Sequence, residues 1–520
     1  MSRLKRLVLH PLIFSVYPVL ALLAHNLGES RLSVGVRPSI VSIVGAAFVL
    51  LITYLWLKDW RRSAILATFA IVIFFSYGHV YHYLEQYQVL GINIGRHRIL
   101  LPILAILFII GIWWIVKRLS NLQLVTEVLN IIALAALIFP IVQISIFQIQ
   151  TSQLMGEKPV SSTGTTELQD YTNQPLPDIY YIVMDAYARA DSLQEFYGYD
   201  NTAFLDQLDE LGFFVADCSQ SNYAKTRLSL VTSLNMNYLD AFEEIQDDLK
   251  KQKENRIRMW RLIHRNLVKR TLDDMGYTIV AFETGYMATE WDDADIYLSQ
   301  NSGSLIDDMQ AFSRINGFEA LLIQTTVGLA LLDAETIFSP FIAPAVVISP
   351  KKAHYDLVLY TLDTLESAPE IEGPKFVFAH IVSPHGPYVF TPTGEFVPDD
   401  EESGIVYSDQ VTYLNTRLLP LLQKLIDESK TPPIIILQSD HGGHGTQFDS
   451  SHRMNILNAY YLPNGGDQYL YETISPVNSF RLIFDYYFGY EYDLLEDVSY
   501  YSDIENFFDF DIIPNLCDAD

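Results

Sequence analysis

The stretch PPIIILQSDHGGHG, Pro432–Gly445, joins a run of β-branched residues to an acid and two histidines. An uninterrupted apolar run of this length behind a pair of prolines reads as a strand buried on both faces. Its last residues, Ser439, Asp440 and His441, then emerge at a sheet edge, where open α/β sheets bind their ligands. The same pattern recurs on either side. Working outward, strands are expected at IYYIVMD (179–185), FFVA (213–216), TIVAFE (278–283) and FVFAHIV (376–382). Between them helices are expected over 193–211, from near Thr226, and over 257–275, 355–365 and 413–426. Apolar strands alternating with helices indicate an α/β fold, with a mainly parallel sheet and helices on both faces. No internal repeat and no Gly-rich phosphate loop is found.

The chain has 520 residues and a formal net charge of −28, and the charge is unevenly divided. Residues 1–150 hold 12 Lys and Arg and four acids, whereas the remainder holds 22 bases and 58 acids. The basic half contains five apolar segments, Leu7–Leu27, Pro38–Leu57, Ser63–Leu84, Ile99–Val116 and Val125–Phe147. Each is near the ~20 residues that cross a bilayer, so 1–149 reads as a transmembrane domain of five helices. A cleaved signal peptide behind Arg3, Lys5 and Arg6 fits less well, because further apolar spans follow at once. Short connections on one side carry eight bases, among them Lys58, Arg61, Arg62, Lys117 and Arg118, against four on the other. The excess predicts a multi-pass plasma-membrane protein with a cytoplasmic N-terminus. Residues 150–177, rich in Ser, Thr, Gln and Pro, read as a linker. Residues 178–520 then form an extracytoplasmic domain.

That acidity disfavours nucleic acid as a partner. A transporter is also disfavoured, since Glu85 and Glu127 are the only acids in the spans and lie near segment ends. Cys218 and Cys517 both fall in the exterior half, where a disulfide persists; a bridge and two free thiols remain equal alternatives.

Three expected strands end in groups that could meet. Asp185 closes the first, His380 and His385 lie in or after FVFA, and Asp440 with His441 close IIILQSD. Two carboxylates and an imidazole suit one divalent cation of the Mn, Mg or Zn kind. The segment SNYAKTRLSLVTSLN, Ser221–Asn235, adds Thr226 at a helix N-terminus, where free N–H groups favour an anion. Taken singly, Thr226 reads as an N-cap and Asp185 as a turn residue. Their joint occurrence is what points to chemistry.

The ordered set Asp185, AKT with Thr226, SPHGPY with His385, and SDHG with Asp440 and His441 resembles the alkaline phosphatase and sulfatase superfamily. With five spans ahead of it, the chain is similar to lipoteichoic acid synthase and its sulfatase-like relatives, over about 178–488 and more loosely before. The resemblance implies that Asp185, Asp440, His441 and Thr226 hold the metal, that Thr226 is the nucleophile, and that His385 serves the transferred or leaving group. It further implies substrate contacts from Asn222, Lys225, His380, His452 and Arg453. Two departures stand out: lipoteichoic acid enzymes carry Glu where this chain has Asp185, and Phe-Pro-Phe where it has Gly-Pro-Tyr. Cys218 is followed by SQSNY, which excludes the formylglycine pattern of sulfatases. His444, between glycines, reads as a surface residue, with a second-metal ligand as the alternative.

The expected function is metal-dependent transfer of a phosphoryl-linked head group, such as glycerophosphate or phosphoethanolamine. The donor would be a membrane lipid and the acceptor an envelope glycan or lipid. Water as acceptor would make the same site a phosphodiesterase, phosphatase or sulfatase, and a non-catalytic membrane scaffold is the remaining alternative.

Overall fold

The computed structural model describes residues 7–27, 32–89, 92–93, 95–156, 176–242, 245, 252–300, 317–332, 350–397, 406–443, 450–503 and 506–517. The expected linker lies mostly outside these residues, as does His444. The chain forms two compact units, 1–153 with 309–350, and 154–308 with 351–520.

In the first unit the apolar segments form α1 (His10–His25), α2 (Val36–Leu57), α3 (Trp60–Glu85), α4 (His97–Lys117) and α5 (Leu122–Gly156). The last four are long and apolar enough to cross a membrane, while α1 is shorter at 16 residues. A helix start leaves backbone amides without partners. At α1 these are met by Asn130 of α5, whose Oδ1 accepts from Leu9 N (3.1 Å) and His10 N (2.9 Å). At α3 the Asp59 carboxylate caps Arg61 N and Arg62 N. The unit also takes in two short helices from far along the chain, α11 (Gly317–Gln324) and α12 (Gly328–Leu332).

The second unit is built on a seven-stranded sheet. Its strands are β1 (Ile179–Met184), β2 (Phe214–Val215), β3 (Thr278–Phe282), β4 (Ile296–Leu298), β5 (Lys375–Ile381), β6 (Ile434–Ser439) and β7 (Asn458–Tyr461), in the order β2-β7-β6-β1-β5-β3-β4. The run from β6 to β4 is parallel, and β7 and β2 add an antiparallel edge. Alternation along β1 sends Tyr181 and Val183 into one core and Tyr180, Ile182 and Met184 into the other. Both faces are covered, which is why this strand reads as continuously apolar. The α/β expectation therefore holds, with differences at the margins. The amphipathic stretch 193–211 is two helices, α6 (Ala190–Tyr197) and α7 (Thr202–Glu210), because Gly198 takes φ 60° as the C-cap of the first. The stretch 257–275 likewise divides into α9 (Gln252–His264) and α10 (Leu267–Asp274), where Asn266 Oδ1 caps Lys269 N. Strands β4 and β7 had no counterpart in the sequence reading, being short and partly polar.

His264, at the end of α9, is 3% exposed and its Nε2 has no partner. Burial pushes its pKa down from 6.5 to about 4. The folded chain thus holds it neutral where the unfolded chain protonates it, so stability falls as pH drops from about 6.5 towards 4. The expected loss is on the order of 3 kcal/mol. Hydrogen exchange of α9 and α10 between pH 7 and 4.5 should show this slope in the native chain and a flatter one in His264→Phe.

Candidate active site

Strands β6, β1 and β5 are neighbours at the centre of the sheet, and all three point their carboxyl ends the same way. Asp185, directly after β1, is held by Asp185 N donating to Ile381 O (2.9 Å). The next residue, Ala186, has φ 64°, a costly conformation for a residue with a Cβ. It is kept there by two bonds: Ala186 N donates to Asp440 Oδ1 (3.1 Å), and the Tyr407 hydroxyl donates to Ala186 O (2.6 Å). Asp440 Oδ1 also accepts from His441 N (3.0 Å). Each carboxylate thus has one oxygen engaged or facing a histidine. The other oxygens, Asp185 Oδ1 and Asp440 Oδ2, are buried with no hydrogen-bond partner.

His441 faces both. Its Nδ1 lies 2.8 Å from Gly442 O, and a carbonyl can only accept, so Nδ1 carries the proton. Nε2 then presents a lone pair 3.6 Å from Asp185 Oδ1 and 3.6 Å from Asp440 Oδ2. Burial lowers the His441 pKa, against the opposing pull of Asp440. Burial pushes Asp185 upward, but the imidazoles facing it, His380 first and then His441 and His385, hold it below the usual carboxylate range. Three lone-pair donors facing one another in a buried site is an unfavourable arrangement without a cation among them. Asp185, Asp440 and His441 have donor atoms within 4.8 Å of one another, and this set fits one divalent ion.

Thr226 completes the cluster. Helix α8 (Thr226–Asn235) begins at this residue, and Thr226 Oγ1 lies 3.5 Å from His441 Nε2. The preceding loop is anchored from below, since Ser221 Oγ donates to Asp440 O (2.5 Å). The tertiary structure therefore brings the four implied ligands together, and the nucleophile candidate sits at a helix N-terminus.

No family model matches the chain, and no curated protein matches it. Solved structures do. The C-terminal periplasmic domain of EcEptC from Escherichia coli aligns at 11% identity and TM-score 0.41, over 66% of this chain and 94% of that one. The integral membrane protein lipooligosaccharide phosphoethanolamine transferase A from Neisseria meningitidis aligns at 12% identity and TM-score 0.31, over 90% of each chain. A protein in the alkaline phosphatase superfamily from Vibrio parahaemolyticus aligns at 10% identity and TM-score 0.34, over 64% of this chain and 71% of that one. The structural neighbours thus include phosphoethanolamine transferases and an alkaline phosphatase superfamily protein. At these identities the chemistry of this chain is read from its own side chains.

The remaining residues singled out from the sequence divide. His385 stays at the site: its backbone N donates to Asp185 O (3.0 Å), and its Nδ1 lies 2.7 Å from Gly386 O. Arg453 also stays, with Nε donating to Ala224 O (3.0 Å) beside Asp440 and Asp185. His452 lies beside α6 instead, its Nε2 3.7 Å from Glu195 and its ring against Phe196. His380 is fully buried, with Nδ1 at 2.9 Å from Thr289 Oγ1 and Nε2 at 3.5 Å from Asp185 Oδ2. It orients a carboxylate rather than touching substrate.

Asn222 and Lys225 are corrected more strongly. Asn222 is wholly buried and spends both ends of its amide inside the unit: Oδ1 accepts from Val477 N (2.8 Å), and Nδ2 reaches Ser475 Oγ, Tyr238 OH and Val498 O. Lys225 Nζ donates to Asp503 O (2.6 Å) and Ser502 Oγ (3.0 Å) and lies over the Phe507 ring. Both side chains reach a C-terminal strap that runs along the loop before Thr226, at Val498 and at Ser502–Asp503. Tyr500 N donates to Asn222 O, Tyr500 stacks on Tyr223, and the open question of the cysteines closes with a Cys218–Cys517 disulfide.

Sequence reasoning missed His354, on α13 (Pro350–Leu365). Its Nε2 is buried without a partner, and burial pushes its pKa down to about 4, near the charges of His385 and Asp185. It also missed Thr289 and Tyr407. None of the three lies in a motif, and each reaches the site only through folding.

Proposed function

We propose that the chain transfers a phosphoryl-linked head group from a membrane lipid to an extracytoplasmic hydroxyl acceptor, through a covalent phosphothreonine at Thr226. The observation that carries this reading is the convergence of Thr226 Oγ1 and His441 Nε2 at 3.5 Å beside two buried carboxylate oxygens that have no partner. Asp185, Asp440, His441 and Thr226 would hold one divalent cation, Zn, Mn or Mg. When bound, that ion acidifies a hydroxyl, so that an alkoxide exists near neutral pH.

Thr226 Oγ1 forms a bond to phosphorus while the bond from phosphorus to the lipid oxygen breaks. His385 Nε2, an acceptor because Nδ1 donates to Gly386 O, takes the Thr226 proton and passes it to the departing oxygen. In the second half the acceptor oxygen bonds to phosphorus, the bond to Thr226 breaks, and the acceptor proton passes through His385 to Thr226 Oγ1. The N-terminal amides of α8 and the Arg453 guanidinium favour the anionic group throughout. The domain reading that goes with this is a transmembrane half over 1–149, a linker over 150–177 and an extracytoplasmic catalytic half from 178, with the N-terminus cytoplasmic.

The test is intact-mass analysis of the full chain in nanodiscs of phosphatidylethanolamine and phosphatidylglycerol with Mn. An adduct on Thr226, discharged by added glycan or glycerol-like acceptors, supports transfer. An adduct discharged equally fast by water alone makes the chain a hydrolase, and no metal uptake at all would leave the scaffold reading.

A further inference from the structure

Helices α11 and α12 lie in sequence inside the acidic half, between β4 and α13, yet they pack with the apolar helices. Their sixteen residues, GFEALLIQTTVGLALL, carry one charge, Glu319, and Arg37 of α2 neutralises it through a two-bond fork. Phe318 and Leu322 close against Val19 and Leu23 of α1, and Ala330 against Tyr77 and Leu100.

The turn between the two helices is tied to α3. Gly78 N donates to Thr325 O (3.0 Å), and Phe74 O accepts from Val327 N (3.0 Å). These are the two groups that an unbroken helix would pair with each other. A side chain at position 78 would overlap the Gln324 carbonyl, so the approach depends on glycine. The turn's hydroxyls are also satisfied locally: Thr325 Oγ1 donates to Leu322 O (2.7 Å), and Thr326 Oγ1 donates to Ile323 O (2.8 Å). Irregular backbone is tolerated at membrane depth only where protein satisfies it in this way.

The depth follows from α3. Tyr77 OH lies 2.6 Å from His97 Nδ1 at the start of α4, among Arg96 and Arg98, which marks the polar boundary. Phe74 is about one helical turn inside that boundary. Leu321 is 46% exposed, and the apolar Phe74, Ile103 and Ile106 of α3 and α4 are exposed as well. The geometry points to residues 317–332 as a re-entrant hairpin, seated in the phospholipid leaflet at the C-terminal end of α3. The acidic half would then hold the membrane at a second point besides α5. This inference is independent of the chemistry proposed above.

Site-directed fluorescence tests it in the full chain, because the two native cysteines are bonded to each other and do not label. Leu321→Cys carrying an NBD probe, in nanodiscs, should lose fluorescence to lipids with a shallow nitroxide and keep it against aqueous iodide. The exposed control Glu210→Cys on α7 should do the reverse. Iodide quenching at 321 overturns the inference. Silence to both quenchers overturns it too, because it means that protein covers this face.

Discussion

Thr226→Ala is expected to abolish the covalent adduct and to lower kcat by on the order of 10⁴-fold or more, the loss typical of removing a nucleophile. The reason is local. Asp185, Asp440 and His441 stand without Thr226, so the alanine chain should still take up its divalent ion, as measured by metal content after dialysis. Thr226 is partly exposed at the first residue of α8, and the loop before it is fixed by Ser221, Asn222 and Tyr223 rather than by its own side chain. The variant should therefore fold normally. Thr226→Ser keeps the hydroxyl and should keep adduct formation, at a reduced rate because the added rotamer freedom loosens the oxygen's position. Turnover surviving in Thr226→Ala would remove the covalent step from the mechanism and leave direct attack by the acceptor.

Lys375→Met should cost about 3–5 kcal/mol, the usual penalty for orphaning one partner of a buried pair. Lys375 Nζ bonds Asp178 Oδ2 at 2.8 Å, and the side chains are 2% and 7% exposed. Asp178 also bridges strands, with Oδ1 accepting from Lys375 N (3.3 Å) and its carbonyl from Ile434 N (2.8 Å). The pair thus ties the starts of β1, β5 and β6 at the end of the sheet away from the site. Methionine fills the space of the lysine stem but leaves a carboxylate that neither water nor a base reaches. Hydrogen exchange of the β1 and β5 amides in nanodiscs reads the loss. The double variant Asp178→Asn, Lys375→Met should recover most of it, since no charge is then left unpaired. An unchanged exchange rate in the single variant would show that water reaches Asp178.

These two residues mark different degrees of legibility. Thr226, Asp185, Asp440 and His441 were readable in order along the chain, because strands buried on both faces announce themselves as apolar runs, and the polar residues at their ends stand out against them. The antiparallel edge was readable only in part: β2 lies within the expected strand FFVA, whereas β7 begins with Asn458 and carries no periodic signal. Asn222 and Lys225, expected as substrate contacts, lie within four residues of Thr226 in sequence. Nearness in sequence says nothing about where a side chain points, and both turn to the C-terminal strap.

Periodicity and local chemistry were enough for the α/β class, the apolar half and the helix start at Thr226, since each depends on residues within a few positions of one another. Long-range placement depends on which surfaces close together. That is how Cys218 comes to meet Cys517 across 299 residues, how His380 turns from substrate to Asp185, and how residues 317–332 leave the acidic half for the membrane helices. No local pattern encodes such meetings, because the free energy that selects them comes from burial and hydrogen bonding between segments far apart in the chain.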